Sequence, residues 1–416
     1  SSVTYASPSR TEHPQEHSFR QADNHRDRRR AAAHTHKPEA AVQAKAPTGR
    51  HQELGATFQS PESLPSIRPP DRARRSLELP GRPLPRRRAM GAAAEDAVRQ
   101  LGILMDQVDA PLRRTFQNVH QGHPRETMLR FLKAREWNVS KAHKMLVDSL
   151  NWRIENEIDS VLERPILPVD LYRSIRDSQL VGLSGYTKEG LPVFGIGVGQ
   201  STYDKASVHY YVQSHIQINE YRDRIILPML TEKFGRPITT CVKVLDMTGL
   251  KLSALSQMKM LSSISTVDDL NYPEKSETYY IVNVPYIFSA CWKVVKPLLQ
   301  ERTKKKVKVL SGCGRDELLK IMDYSALPHF CRREGSGSSK HSSSNADDCF
   351  SPDHPFHKEL YELTNQQSSH KELLKMGSLH VSIPEPDPND AKIVEVIQAE
   401  FHKMGEQNGS TNGHKV

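Results

Sequence analysis

The chain has 416 residues, 58 Lys+Arg against 49 Asp+Glu, and a formal net charge of +9. Residues 1–89 carry 17 basic and 9 acidic side chains, which leaves 41 basic against 40 acidic in the rest and excludes a positive field over the folded part. Five cysteines with no CxxC pair exclude a disulfide framework, and no apolar run approaches the ~20 residues that span a bilayer.

Residues 1–89 are rich in Arg, Pro, His, Ala and Ser, and cannot bury enough apolar surface to offset chain entropy. They read as a disordered basic leader. Ordinary patterning starts at the first methionine, Met90, so Met90-Gly91 is the expected native start and 1–89 is expected to be upstream sequence. Glu95 stands where a myristoylation signal needs Ser or Thr, so that lipid is not expected. The N-terminus has no apolar signal-peptide stretch.

A helical lobe is expected over 95–165. Met128, Leu129, Phe131 and Leu132 form an apolar stripe, and Ser140 is the expected N-cap of a longer helix carrying Met145, Leu146, Leu150 and Trp152. Over 166–333 strands alternate with helices. Strands are expected at 191–198, 239–249, 278–284 and 306–310, and helices at 207–226, 253–270, 287–299 and 315–322. This predicts the α/β class, a mostly parallel sheet flanked by helices. Residues 334–353 have linker composition. The tail, 354–416, carries two expected helices, at 355–376 and 390–404. The second places Ile393, Val396, Ile397 and Phe401 on one stripe.

Few local patterns carry chemistry. Gly195, Gly197 and Gly199 are spaced GxGxG within or at the end of a strand, whereas a phosphate loop needs GxGxxG opening a helix. Small residues that let another group approach the sheet explain them better. Lys304, Lys305, Lys306 and Lys308 are either a solvated strand entry or a contact for phosphate or an anionic membrane. Cys349, His354 and His357 match no zinc framework, so no metal site is expected. Asp268 and Asp269 read as a solvated helix face. There is no GxSxG, HExxH or kinase set, so no catalytic residue is assigned.

Four separated strings together resemble the CRAL-TRIO lipid-binding family, most closely its cytosolic-factor type of phosphatidylinositol/phosphatidylcholine transfer proteins. They are "MLRFLKAREWNVSKAHKML" with "NWR" (128–153), "VLDMTGL" (244–250), "NYPEKSETYYIVNVPYIFSACWKVVKPLL" (271–299), and "KVKVLSG" with "ELLKIMDYSALPHF" (306–330). The resemblance covers about 110–333. It implies a helical N-terminal lobe on an α/β lobe that encloses an apolar lipid pocket.

It also implies a function: a non-enzymatic carrier that binds phosphatidylinositol and exchanges or presents it at membranes, for phosphoinositide signalling and vesicle trafficking. The head-group residues fall on Arg135, Glu274, Thr303 and Lys306. The mobile gate helix falls on 287–299, with Phe288, Trp292, Val295, Leu298 and Leu299. Phosphatidylcholine is the second candidate ligand, and its Ser and Thr positions fall on Cys241 and Lys243. Lysine cannot accept a hydrogen bond and is a poor choline neighbour. No cofactor beyond the bound phospholipid is expected. The expected partners are a membrane surface, touched peripherally, and a phosphoinositide kinase, with no nucleic acid. The expected state is a monomer in the cytoplasm, peripheral at Golgi or plasma membrane. A carrier of an isoprenoid, tocopherol or sterol, and a lipid-sensing scaffold, remain as alternatives.

Overall fold

A computed structural model describes residues 86–251, 257–299, 301–332, 347–366 and 388–410, with 379, 381–383 and 385 between the last two segments. They belong to one compact unit, 80–416. The leader up to residue 85, and 334–346 of the expected linker, lie outside the described residues.

Four helices form the N-terminal lobe: α1 (Arg86–Asp106), α2 (Ala110–His120), α3 (Pro124–Ala134) and α4 (Val139–Glu155). Helix α1 begins four residues inside the segment expected to be disordered. Asp109 caps α2 by accepting the Leu112 N–H at 3.1 Å. The cap of α4 is Asn138 rather than Ser140: Asn138 has extended backbone and accepts the Lys141 N–H at 2.9 Å, while Ser140 already lies in the first turn. Leu101, Phe131, Leu132, Ala142, Leu146 and Leu150 fill the space between these helices. Each large side chain there contributes about 1.5–3 kcal/mol by leaving water.

After α5 (Val169–Ser178) come β1 (Val181–Tyr186), β2 (Pro192–Gly197), α6 (Val208–Tyr221), α7 (Leu227–Phe234), β3 (Cys241–Asp246) and α8 (Met258–Asn271). They are followed by β4 (Ser276–Val282), α9 (Tyr286–Val295), α10 (Glu301–Lys306), β5 (Val307–Val309), α11 (Arg315–Leu319) and α12 (His329–Arg332). The tail adds α13 (Pro355–Gln366) and α14 (Pro388–Ser410). The helix expected to stop at 226 runs on instead. Arg222–Ile226 form a wide π turn between α6 and α7, and Pro228 sits in the first turn of α7, where its missing N–H leaves no gap. Lys304, Lys305 and Lys306 end α10 rather than entering a strand.

The sheet is ordered β1-β2-β3-β4-β5, with β1 antiparallel to β2 and every other pair parallel. One face buries Val193, Val242, Val244 and Val282 beneath Leu318, Met322, Leu327 and Phe330. Part of the expected linker belongs to this layer, since Cys349 and Phe350 are buried in it. Their approach explains the small residues of the sheet. A Cβ on Gly195 would lie 3.1 Å from Cys349 Sγ, and one on Gly197 3.1 Å from Phe350. Gly195 and Gly197 therefore make room for the chain's own 347–350 segment, while Gly199 makes room for the backbone of Met247, Thr248 and Leu250. The opposite face of β3 and β4 presents Lys243, Leu245, Tyr279 and Ile281 to a cavity.

Candidate functional site

The cavity has a volume of about 500 Å³. It lies between the inner face of the sheet, α8, α9, α10 and the tail helix α14. Arg135, Glu274, Thr303 and Lys306 all line it. Three short structural reasons bring them together. Arg135 follows the last turn of α3, where its backbone N–H closes the helix. Glu274 sits in the turn between α8 and β4 with a positive φ of 58°. Thr303 and Lys306 are three residues apart on α10, hence on one face.

Lys306 Nζ donates to Glu274 Oε2 at 2.6 Å and to the Ser276 carbonyl at 2.9 Å. Arg302 Nη1 approaches the other carboxylate oxygen at 3.3 Å and donates to the Lys133 carbonyl at 3.1 Å. Arg302 was not among the residues singled out from the sequence, because it is hidden in the basic run before β5. It ties α10 to the end of α3, close to Arg135. Two cations thus clasp one carboxylate, and Arg135 and Thr303 line the same cavity, so the cradle is net positive with a hydroxyl donor.

The apolar wall is built by Leu245, Leu261, Ile281, Trp292, Leu299, Val307, Ile393, Val394 and Ile397. Of the expected gate residues, Trp292 and Leu299 line the cavity. Phe288 stacks on Trp292, with ring centroids 5.8 Å apart, and Val295 is buried. The side chain of Leu298 lies outside the described residues. Tail helix α14 packs on α9 and α8, and places Ile393 and Ile397 of the expected stripe on the cavity, without Val396. Val394 joins them there, and the side chain of Phe401 lies outside the described residues.

The rest of the wall is more polar than an acyl pocket requires. Asp268 is not a solvated helix residue. It accepts Asn219 Nδ2 at 2.8 Å, lies 2.7 Å from His215 Nε2, and pairs with Lys243 Nζ at 3.4 Å. Burial alone would raise its carboxyl, but the charges of His215 and Lys243 outweigh that and hold it below the usual carboxylate range. Burial likewise disfavours charge on Lys243, yet Asp268 raises its ammonium above the ordinary lysine value. Cys241, the other position expected to face choline, is fully buried in the core on the α6 side rather than on the cavity.

Cys349 does not join His354 and His357 in a ligand set. Its Sγ lies 3.7 Å from His329 Nδ1, and burial raises its thiol above the ordinary range. Among the described residues no helix is long and apolar enough to cross a membrane.

Models of known protein families match two stretches of the chain. A CRAL/TRIO domain matches residues 176–331, and a CRAL/TRIO N-terminal domain matches 93–148. "Phosphatidylinositol/phosphatidylcholine transfer protein SFH9" of Arabidopsis thaliana is 29% identical over 221 residues, 50% of this chain and 38% of that protein. SFH12 of the same plant, with the same description, is 30% identical over 210 residues, 49% of this chain and 38% of that protein. "Protein real-time" of Anopheles gambiae is 28% identical over 244 residues, 56% of this chain and 35% of that protein. The chain therefore spans less than two-fifths of the length of these curated relatives. Among solved structures, "Crystal structure of Sfh5" aligns with a TM-score of 0.45 and 19% identity, over 65% of this chain and 97% of that one. With the N-terminal domain at 93–148 and the CRAL/TRIO domain at 176–331, the chain belongs to the CRAL/TRIO family.

Proposed function

We propose that the protein is a non-enzymatic lipid carrier that takes phosphatidylinositol into this cavity, and exchanges it between membranes or presents it to a phosphoinositide kinase. The observation that carries the reading is the clasp of Arg302 and Lys306 on Glu274 in a cavity that Arg135 and Thr303 also line and that has an apolar wall. A phosphate that has left water needs paired cations and donors, and these residues supply them. Glu274 holds Arg302 and Lys306 in place. A tocopherol or sterol carries no phosphate to balance them. Phosphatidylcholine is less favoured, because charged Lys243 stands on the inner wall where choline would need an acceptor or an aromatic face.

Extracting a lipid exposes acyl chains at about 0.8 kcal/mol per CH₂. Two chains of ~16 carbons would cost about 20–25 kcal/mol in water by that measure. The carrier has to open only against a membrane. Helix α9, with Trp292 on the cavity and Tyr286 and Val294 exposed outward, fits a gate of this kind. The protein would then act as a monomer in the cytoplasm, peripheral at Golgi or plasma membrane, in phosphoinositide signalling and vesicle trafficking. Lipid extraction and mass spectrometry of the purified protein test the ligand. Co-purifying phosphatidylinositol is expected, and a lipid lacking phosphate would overturn the reading.

A further inference from the structure

The inner wall of the cavity carries a charge imbalance that an acyl chain would not satisfy. Lys243 is the one charged side chain that β3 turns toward the cavity, flanked in sequence by the core residues Val242 and Val244. An ammonium has three N–H donors. Lys243 donates to Asp268 over a long 3.4 Å, and that carboxylate already serves His215 and Asn219.

Arg222, at the start of the π turn, is 3% exposed and also lines the cavity. Its Nε donates to Asp223 at 2.7 Å and its Nη1 to Asn219 at 2.9 Å. Its Nη2 has no hydrogen-bond partner among the described residues. Asp223 is shared in turn with Lys275 Nζ at 2.9 Å. Arg222, Lys243 and Lys275 thus draw on only two carboxylates, Asp223 and Asp268. The imbalance shows at Lys275, which burial and then the charge of Arg130 push down to about 7. Lys275 also lines the cavity, and an anion entering there would offset this excess of positive charge, while Asp268 keeps Lys243 charged to meet it.

We propose that Arg222 and Lys243 form a second anion-binding subsite at the inner wall of the cavity, which takes the carboxylate of a long-chain acid. The inference rests on the cavity being a lipid site, and not on phosphatidylinositol being its lipid. The subsite is distinct from the Lys306 cradle. Lys243, Tyr279 and Val307 are register partners on three adjacent strands, so at about 4.8 Å per strand Lys243 lies about 10 Å from the strand that follows Lys306. Tyr279 stands between the two on the sheet, and Leu245 and Ile281, two residues further along their strands, give the same cavity an apolar surface for a hydrocarbon chain. One guanidinium N–H and one ammonium match the two oxygens of a carboxylate, and Ser262 and Thr266 on α8 line the same cavity as further hydroxyl donors.

The test is equilibrium binding of a fluorescent polyene fatty acid, parinaric acid, against its methyl ester, in the full chain. The acid is expected to bind the wild type at least tenfold more tightly, a difference of about 1.4 kcal/mol. Lys243→Met should bring the acid down to the affinity of the ester. Equal affinities in the wild type, binding of neither probe, or an unchanged ratio in Lys243→Met would each overturn the subsite. If Lys243→Met fails to fold, the wild-type ratio decides alone. Phosphatidylinositol transfer is measured separately, so its loss beside a preserved acid preference would count against the Lys306 cradle and not against this subsite.

Discussion

Lys306 holds Glu274 at 2.6 Å, across a turn whose glutamate has left-handed backbone, and Arg302 closes on the same carboxylate from the other side. The carboxylate keeps two cations together when no phosphate is present. Glu274→Gln should therefore destabilise the lipid-free protein by about 1–3 kcal/mol, the cost of leaving partly buried charges without their partner. Loading with phosphatidylinositol should recover most of that loss. Thermal unfolding of wild type and variant, with and without lipid, checks it. An equal shift on loading in both proteins would show that the phosphate does not meet these cations.

Arg176 presents the opposite situation. It is 1% exposed, and its Nε, Nη1 and Nη2 have no hydrogen-bond partner among the described residues. Its guanidinium lies 5.1 Å from the Tyr172 ring centroid, a contact that offsets part of the cost of burial. Replacing it by an apolar side chain of similar length removes a buried charge. Arg176→Met is expected to stabilise the fold by about 1–4 kcal/mol, read as a higher midpoint in urea. A lower midpoint would mean that the packing of Arg176 on Tyr172 outweighs the cost of burying its charge.

His357 gives the pH dependence a sign. Burial, and then the charge of Arg176, push its imidazole down to about 3. In the unfolded chain it protonates near 6.5, while in the fold it stays neutral. The group therefore withdraws stability as pH falls from about 6.5 toward 3, and has no effect above that window. His357→Gln should flatten the unfolding free energy between pH 7 and pH 5, relative to the wild type. Parallel pH profiles for the two proteins would contradict this assignment.

The tail helix α14 places Ile393, Val394 and Ile397 on the cavity beside Trp292 and Leu299. Removing 388–416 uncovers that apolar wall. Lipid should then leave the protein faster, by about tenfold or more if removal exposes only two methylenes' worth of chain at ~0.8 kcal/mol each. Stopped-flow release of a fluorescent phospholipid to acceptor vesicles measures it. An unchanged release rate would show that α14 does not close the cavity.

Much of this site was legible through the family resemblance, because Arg135, Glu274 and Lys306 lie in its strings and Thr303 stands three residues before Lys306. Arg135, Glu274, Thr303 and Lys306 come from three separated segments, and the fold brings all four to one cavity. Arg302 and Lys243 were harder to read. A cation in a basic run carries no local mark of the carboxylate it meets, and the alternation of β3 tells inward from outward without telling cavity from core. Asp268 read as solvent-facing, because helix α8 alone does not reveal that His215 and Lys243 approach it from α6 and β3. Cys349 and Phe350 sit in a Ser- and Asp-rich stretch whose composition hides a buried anchor. The strand β1 was missed because "VGLSGY" carries two glycines and little alternation. The continuation of α6 into α7 was missed because Pro228 reads as a stop unless a π turn precedes it.

The most direct test of the central claim is vesicle-to-vesicle transfer of labelled phosphatidylinositol by the wild type and by Lys306→Ala, each first shown to be folded. The account predicts transfer by the wild type, and a fall of at least about tenfold in the variant, the loss of one charge-assisted bond of about 1.5–3 kcal/mol. Absence of transfer in the wild type, or equal rates in the two proteins, would contradict it.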